Sequence, residues 1–209
     1  MGRAASSVLW KGSVRPDPTI PADLGARLLG TTSELPEVPP DLRLAAVIAL
    51  LVRDTPAGGP GLLLTERSNK LRAHAGQIAF PGGKPEPQDD GLLDTALREA
   101  REEVGLPQTG TTVLGRLWPV PTPTGFLIIP FVGLAPEGWV PTAASPEVHC
   151  VFTPTLAELA DPAVHRVSHR GMLRGFAYEL HEFQVHKPPV WGATANMVWE
   201  LLLHLDLRP

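Results

Sequence analysis

GGKPEPQDDGLLDTALREAREEVGL, Gly82 to Leu106, is the stretch from which the rest of the chain can be read. Its second half predicts one amphipathic helix. Leu93, Leu97, Ala100 and Val104 recur at i, i+4, i+7 and i+11 and share an apolar face. Glu99, Glu102 and Glu103 recur at i, i+3 and i+4 and share another. Asp89 and Asp90 precede the helix, where acidic side chains can cap free N–H groups and meet the positive end of the dipole. Gly105 stands where a left-handed residue would close it.

Three carboxylates on one helical face repel one another, and a helix built for stability alone would carry Lys or Arg among them. The clustering points to a cation that supplies the missing charge. Oxygen ligands alone select a hard ion, Mg²⁺ or Mn²⁺, over zinc. Magnesium keeps several waters and shares substrate phosphates, so the implied substrate is a small molecule carrying phosphates. The alternative is a solvated acidic face. It loses ground because a glycine turn and Arg98 accompany the acids.

Directly upstream, ERSNKLRAHAGQ (Glu66 to Gln77) places Arg67, Lys70, Arg72 and His74 beside that acidic face. A substrate with several phosphates needs both charges: carboxylates with a cation at the scissile phosphates, Arg or Lys at the others. A solvated basic loop is the plainer reading of the same composition. Gly76 and the Gly82-Gly83 pair mark places where backbone can approach a ligand closely.

Anchored on Arg98-Glu99, the segment resembles the Nudix box, G-x5-E-x7-R-E-U-x-E-E-x-G-U, where U is bulky and apolar. Arg98, Glu99, Glu102, Glu103, Gly105 and Leu106 match it, and Ala100 fills a bulky position with a small residue. Counting back puts Asp90 where the box has Glu and Lys84 where it has Gly, with Gly83 one residue early. The loop is therefore one residue longer than the common form. Either Asp89 or Asp90 takes the acidic place beside Arg98. Leu63 to Gly83 matches L-L-T-x-R-S-x3-R-x3-G-x3-F-P-G-G at every fixed position. That signature is similar to the branch of the family formed by the coenzyme A diphosphatases. WGATA, Trp191 to Ala195, followed by a helix, resembles the end of the same branch.

The resemblance implies an α/β fold with a mixed sheet, the Nudix α/β/α sandwich. It implies metal-assisted hydrolysis of coenzyme A or its derivatives to 3′,5′-ADP and 4′-phosphopantetheine. It further implies that Glu99, Glu102, Glu103 and the Gly83 carbonyl hold the metal, with Arg98 orienting the carboxylates. Arg67, Lys70, Arg72 and Gly82 fall to the substrate. In PEVHCVFTPTLAEL, Glu147 matches one further acid near the metals. The general base stays open among Glu102, Glu103 and Glu147. Two other readings stand beside this one: hydrolysis of ADP-ribose, dinucleoside polyphosphates or damaged nucleoside triphosphates, and a non-catalytic nucleotide sensor. Intact box acids favour an enzyme.

The 209 residues suffice for one domain with a full core. Apolar content of 43% with 19% charged residues is globular rather than disordered. A net charge of −4 leaves no basic excess to hold nucleic acid. The one cysteine, Cys150, excludes an internal disulfide and fits a reducing compartment. Its run VHCVF predicts a buried, inert side chain. No apolar run reaches the length of a membrane span, so the expectation is a soluble cytoplasmic protein without a membrane partner. Residues 1–43 read as an N-terminal arm, packing on the domain or on the second subunit of a homodimer, and residues 44–209 as the Nudix domain.

Within the domain, Leu44 to Val52 predicts a buried central strand, Asp54 to Pro60 a turn, and Gly61 to Thr65 the hairpin partner. Ile78 to Phe80 is a short strand leading into the box. Thr111 to Trp118 and Phe126 to Leu134 are strands joined by the connection Pro119 to Gly125. Glu147 to Phe152 is a strand and Pro154 to Leu159 a short helix. His165 to His186 is a two-stranded ribbon holding four of the seven histidines. Their irregular spacing argues against a histidine metal site, since strand alternation sends neighbours to different faces. Phe176 and Tyr178 share one face of that ribbon. A last helix runs from Trp191, with Val198, Leu201, Leu202 and Leu205 at helical spacing.

Overall fold

The computed structural model describes residues 19–32, 37–70, 75–173 and 176–209. Most of the N-terminal arm, Arg72 and His74 of the basic loop, and the Phe176 side chain lie outside them. Within the described part of the arm, α1 (Leu24–Arg27) ends where Leu28 turns extended. Leu24 and Leu28 enter the core.

β1 (Arg43–Val52) is paired on both sides. Along one edge it runs antiparallel to β2 (Gly61–Leu62) and, further back, to β5 (Gly82–Gly83). Along the other it runs parallel to β8 (Phe126–Leu134) over nearly its whole length. β8 is paired antiparallel to β6 (Thr112–Arg116) and to β7 (Val120–Pro121), a short strand inside the expected Pro119–Gly125 connection. The arm lengthens this sheet, since Leu29 exchanges backbone hydrogen bonds of 3.1 and 2.9 Å with Arg116.

A central parallel strand is covered on both faces, which is why β1 reads as an unbroken apolar run. Alternation divides it cleanly. Ala46, Ile48 and Leu50, with Leu127, Ile129 and Phe131 of β8, pack with Ala96, Ala100 and Val104 of α2 (Leu92–Val104). Ala49, Leu51 and Val132 pack with Met197, Val198, Leu201 and Leu202 of α4 (Gly192–His204). One helix on each face of a mixed sheet is the α/β/α arrangement expected. Each buried leucine of this kind contributes about 1.5–3 kcal/mol.

The expected hairpin partner Gly61 to Thr65 is split between two sheets. Gly61 and Leu62 pair with β1, and the Leu63 N–H donates to the Leu50 carbonyl at 2.9 Å. β3 (Leu64–Arg67) then departs to pair with β4 (Ile78–Ala79) and β9 (Val148–Phe152). Leu62, Leu63 and Leu64 are all buried. A triple leucine offers no polar face to solvent, and the crossing from one sheet to the next covers both of its sides. The preceding turn forms as expected, with Gly58 and Gly59 at φ 87° and 74°.

After β9, α3 (Leu156–Leu159) is opened by Thr155 and Glu158, each bonding the other's backbone in a capping box. The ribbon of β10 (His165–Leu173) and β11 (Phe176–Phe183) is joined by β12 (Val190–Trp191), so Trp191 ends a strand and the last helix begins at Gly192. His165 and His181 face each other at 2.9 Å and both stack on Trp199 of α4. Those two histidines pack the ribbon onto the helix. Among the described residues, no helix is long and apolar enough to cross a membrane.

Candidate active site

The site forms where β5 crosses the middle of α2. Gly82 and Gly83 pair with Val47 and Ala46 of β1. A Cβ on Gly82 would stand 2.3 Å from the Ala46 carbonyl oxygen, and one on Gly83 would stand 2.2 Å from Glu99 Oε1. Gly82 must therefore be glycine to lie against the sheet, while the missing Cβ of Gly83 lets the Glu99 carboxylate come up to the backbone. From the other side, the helix approaches closely because its fully buried residues are small. Ala96 and Ala100 are at 0% exposure, whereas Leu93 and Leu97 are only half-buried. The apolar face is thus centred one step from the predicted one, and Ala100 stands where a bulky residue would hold the helix off.

This approach brings the Gly82 N–H to Glu103 Oε2 at 3.1 Å. Glu103 is buried, and burial pushes its carboxyl up to about 7 despite the Gly82 N–H and the Arg67 charge. Burial also raises Glu99, against the opposing pull of Arg98. Glu102 points outward and remains exposed, with Arg98 Nη1 3.4 Å from it.

Arg98 ties the loop to the helix. Its Nε donates to Asp89 Oδ1 at 2.9 Å, its Nη2 to the Lys84 carbonyl at 3.1 Å, and the same Nη2 lies 3.1 Å from Glu99 Oε1. Asp89 also accepts the Glu86 N–H and the Thr95 hydroxyl, both at 2.8 Å. With Arg98 as the main cause, its carboxyl is held at about 2. The choice left open by counting along the loop falls on Asp89. Neither aspartate caps the helix: Gly91 is the N-cap without a side-chain bond. Gly105 closes α2 in the left-handed region, φ 67°, as expected.

Arg67 joins the array from β3. Its Nη1 lies 3.7 Å from Glu103 Oε1, and its Nη2 donates to Glu147 Oε2 at 3.1 Å. Glu147 precedes β9 and is fixed there because its carbonyl accepts the Ser68 N–H at 2.7 Å. Two arginines thus stand among the acids, Arg98 from the helix itself and Arg67 from β3. The Arg67 guanidinium, expected to face substrate, is engaged by these two carboxylates. Lys70 is exposed in the turn beyond β3.

The arrangement is a mixed sheet crossed by a helix, with Glu99 and Glu103 pressed on a glycine pair, and the NUDIX domain family model matches residues 42–176 of the chain. This chain belongs to the Nudix family. It is 42% identical over 175 residues to the uncharacterised Nudix hydrolase NudL of Citrobacter koseri, across 80% of this chain and 85% of that one. NudL of Escherichia coli O7:K1 is 39% identical over 170 residues, with the same coverage. Among solved structures, a Nudix hydrolase from M. smegmatis superposes with a TM-score of 0.44 at 21% identity, over 57% of this chain and 74% of that one.

One Nudix chain feature had no signal in the sequence. Cys150 is neither fully buried nor isolated. Its Sγ lies 3.5 Å from Glu66 Oε2, and His186 Nε2 lies 3.0 Å from the same oxygen. Cys150 and His186 are 84 and 120 positions from Glu66, so no spacing rule connects the three.

Proposed function

We propose that this Nudix hydrolase cleaves the diphosphate bond of coenzyme A or a derivative of it, releasing 3′,5′-ADP and 4′-phosphopantetheine. The observation that supports this reading is the place of Arg67. It is a fixed residue of the Leu63–Gly83 signature, and it stands between Glu103 of the box and Glu147. Signature and box therefore make one ionic array.

Glu99, Glu102, Glu103 and the Gly83 carbonyl suit Mg²⁺ or Mn²⁺, because every donor is oxygen. Glu103 adds a physical reason: a buried carboxylate with raised proton affinity is ionised more readily beside a cation. Such an ion supplies Lewis-acid charge at the phosphoryl oxygens and at the attacking water. The chain's own groups position and neutralise. Arg98 fixes Glu99 and Glu102 and ties them to Asp89. Gly82 orients Glu103 through its N–H. Glu102, Glu103 or Glu147 takes the proton of the attacking water. Arg67 brings positive charge into the array, and Lys70 and Arg72, the next basic residues of the signature in sequence, fall to the substrate phosphates.

The test is turnover by the purified protein, with Mg²⁺ or Mn²⁺, on coenzyme A, ADP-ribose and nucleoside triphosphates. Preference for coenzyme A supports the reading. Equal or better use of another compound moves the substrate to a different nucleoside diphosphate derivative. Binding without turnover of any of them would make the chain a nucleotide sensor.

A further inference from the structure

We propose that Glu66, Cys150 and His186 form a second metal site, for a thiophilic divalent cation of the zinc type, on the far side of β3 from the carboxylate array. The three donors come from three places: Glu66 from β3, Cys150 from β9 and His186 from the segment after β11. One ligand atom of each lies within 4.8 Å of the other two. Tetrahedral zinc with ordinary bond lengths separates an oxygen and a nitrogen ligand by roughly 3.3 Å, and an oxygen and a sulfur ligand by roughly 3.5 Å. The observed separations from Glu66 Oε2 are 3.0 Å to His186 Nε2 and 3.5 Å to Cys150 Sγ. These two separations therefore need changes of a few tenths of an ångström only, and Cys150 Sγ and His186 Nε2 already lie within 4.8 Å of each other.

The surroundings hold the donors in place. The His186 ring stacks on Phe152, centroids 4.1 Å apart and 14° from parallel. Glu66 is buried at 7% exposure, and the β3–β9 pairing sets it opposite Cys150. A thiol, an imidazole and a carboxylate form a borderline-soft set, which selects zinc over the hard ions suited to the carboxylate array. With the thiol ionised, carboxylate and thiolate together neutralise a divalent ion. Without an ion the same two groups oppose each other, and burial beside Glu66 keeps the Cys150 thiol protonated. That last feature also argues against a cysteine nucleophile, and His186 bonds Glu66 rather than the sulfur. His186 and Phe152 line an open groove of about 640 Å³, from which water can complete the coordination.

Adjacent residues of a strand point to opposite faces, so Glu66 and Arg67 serve the two sites from one piece of backbone. An ion at Glu66 would clamp β3 to β9 just behind the Arg67–Glu147 contact.

The test uses the full chain, stripped of metal and titrated with Co²⁺ alone and then Zn²⁺ alone. The expected result is one equivalent of Co²⁺ that carries thiolate-to-cobalt charge transfer in the near ultraviolet and tetrahedral d–d bands, both displaced by Zn²⁺, apart from any Co²⁺ taken up without charge transfer by the carboxylate array. Cys150→Ser should abolish the charge-transfer band, and Cys150→Ser and His186→Gln should each weaken Zn²⁺ binding by at least the roughly ten- to hundredfold lost when a group that only orients a ligand is removed. Glu103→Gln should leave the spectrum unchanged, which separates this site from the proposed catalytic one. A cobalt spectrum of the parent without thiolate charge transfer, or Zn²⁺ affinity unaltered in Cys150→Ser, would overturn the proposal.

Discussion

Arg67 Nη2 stands 3.1 Å from Glu147 Oε2, although 80 positions of chain separate the two residues. The contact ties the acidic array to the β3–β9 pair, and with the Arg67–Glu103 contact it makes Arg67 the link between signature and box. Arg67→Ala leaves Glu103 and Glu147 without their shared cation. Charge-assisted contacts of this kind contribute about 1.5–3 kcal/mol, so efficiency on coenzyme A should fall roughly ten- to a hundredfold. Glu147→Gln, which keeps the hydrogen bond, should fall less. Steady-state kinetics on the two variants checks the order, and parent efficiency in Arg67→Ala would remove Arg67 from the site.

Glu103→Gln gives opposite results in activity and stability. Turnover should drop on the order of a thousandfold, because a charged group at the reacting centre is lost. Stability in metal-free buffer should depend on pH. The folded carboxyl is raised from 4.5 to about 7, so its contribution is fully present below pH 4.5 and lost as pH rises through about 7. The gap corresponds to roughly 3 kcal/mol at most. The variant should therefore match the parent near pH 4, below the ordinary carboxyl value of 4.5, and melt at a higher temperature at pH 8. Calorimetry with a chelator at both pH values reads this directly, and an unchanged difference between them would refute the burial argument.

Asp89→Asn and Asp90→Asn should behave differently although they are neighbours. Asp89 holds Arg98 through Nε and Nη2, whereas the Asp90 backbone merely meets Asp94. Loss of Asp89 should lower both the melting temperature and turnover. Loss of Asp90 should leave both within error. The Asp89 contribution is present above the ordinary aspartate range and disappears as pH falls through about 2, since its folded carboxyl is depressed. Thermal melts of the two variants at neutral pH settle the ordering.

Glycine substitution separates structure from chemistry in β5. Gly82→Ala drives a methyl into the Ala46 carbonyl and the Val47 backbone, which cannot yield, and should cost about 1–3 kcal/mol of stability. Gly83→Ala meets the Glu99 carboxylate, a side chain able to swing away. That variant should fold nearly as well and lose activity instead. Denaturant melts alongside turnover would show whether the two effects part as described.

Substrate class has its own test. Dephospho-coenzyme A lacks only the 3′-phosphate, and its diphosphate presents the same groups to the carboxylates. Losing one charge-assisted contact should reduce efficiency about ten- to a hundredfold. ADP-ribose, without the pantetheine arm as well, should be poorer still. Equal efficiencies would leave the diphosphate chemistry standing and remove the coenzyme A assignment.

The sequence by itself determined the central strand, the box helix with its glycine stop, the acids at i, i+3 and i+4, and the family. All of these are local patterns. Period and spacing dictate which residues share a face, and a run such as Leu44 to Val52, of strand length with β-branched members, fits a strand covered on both sides. Tertiary structure decided what local patterns leave free. It divided GLLLT between two sheets, because pairing partners at distant positions chose different halves of it. It gave Arg98 to Asp89 rather than Asp90, since a side chain is selected by the direction in which the loop presents it and not by a count along the loop. It turned Arg67 toward Glu103 and Glu147, and it brought Cys150 and His186 to Glu66 from far along the chain. Contacts across such separations depend on strand register and sheet curvature, which the whole core fixes together.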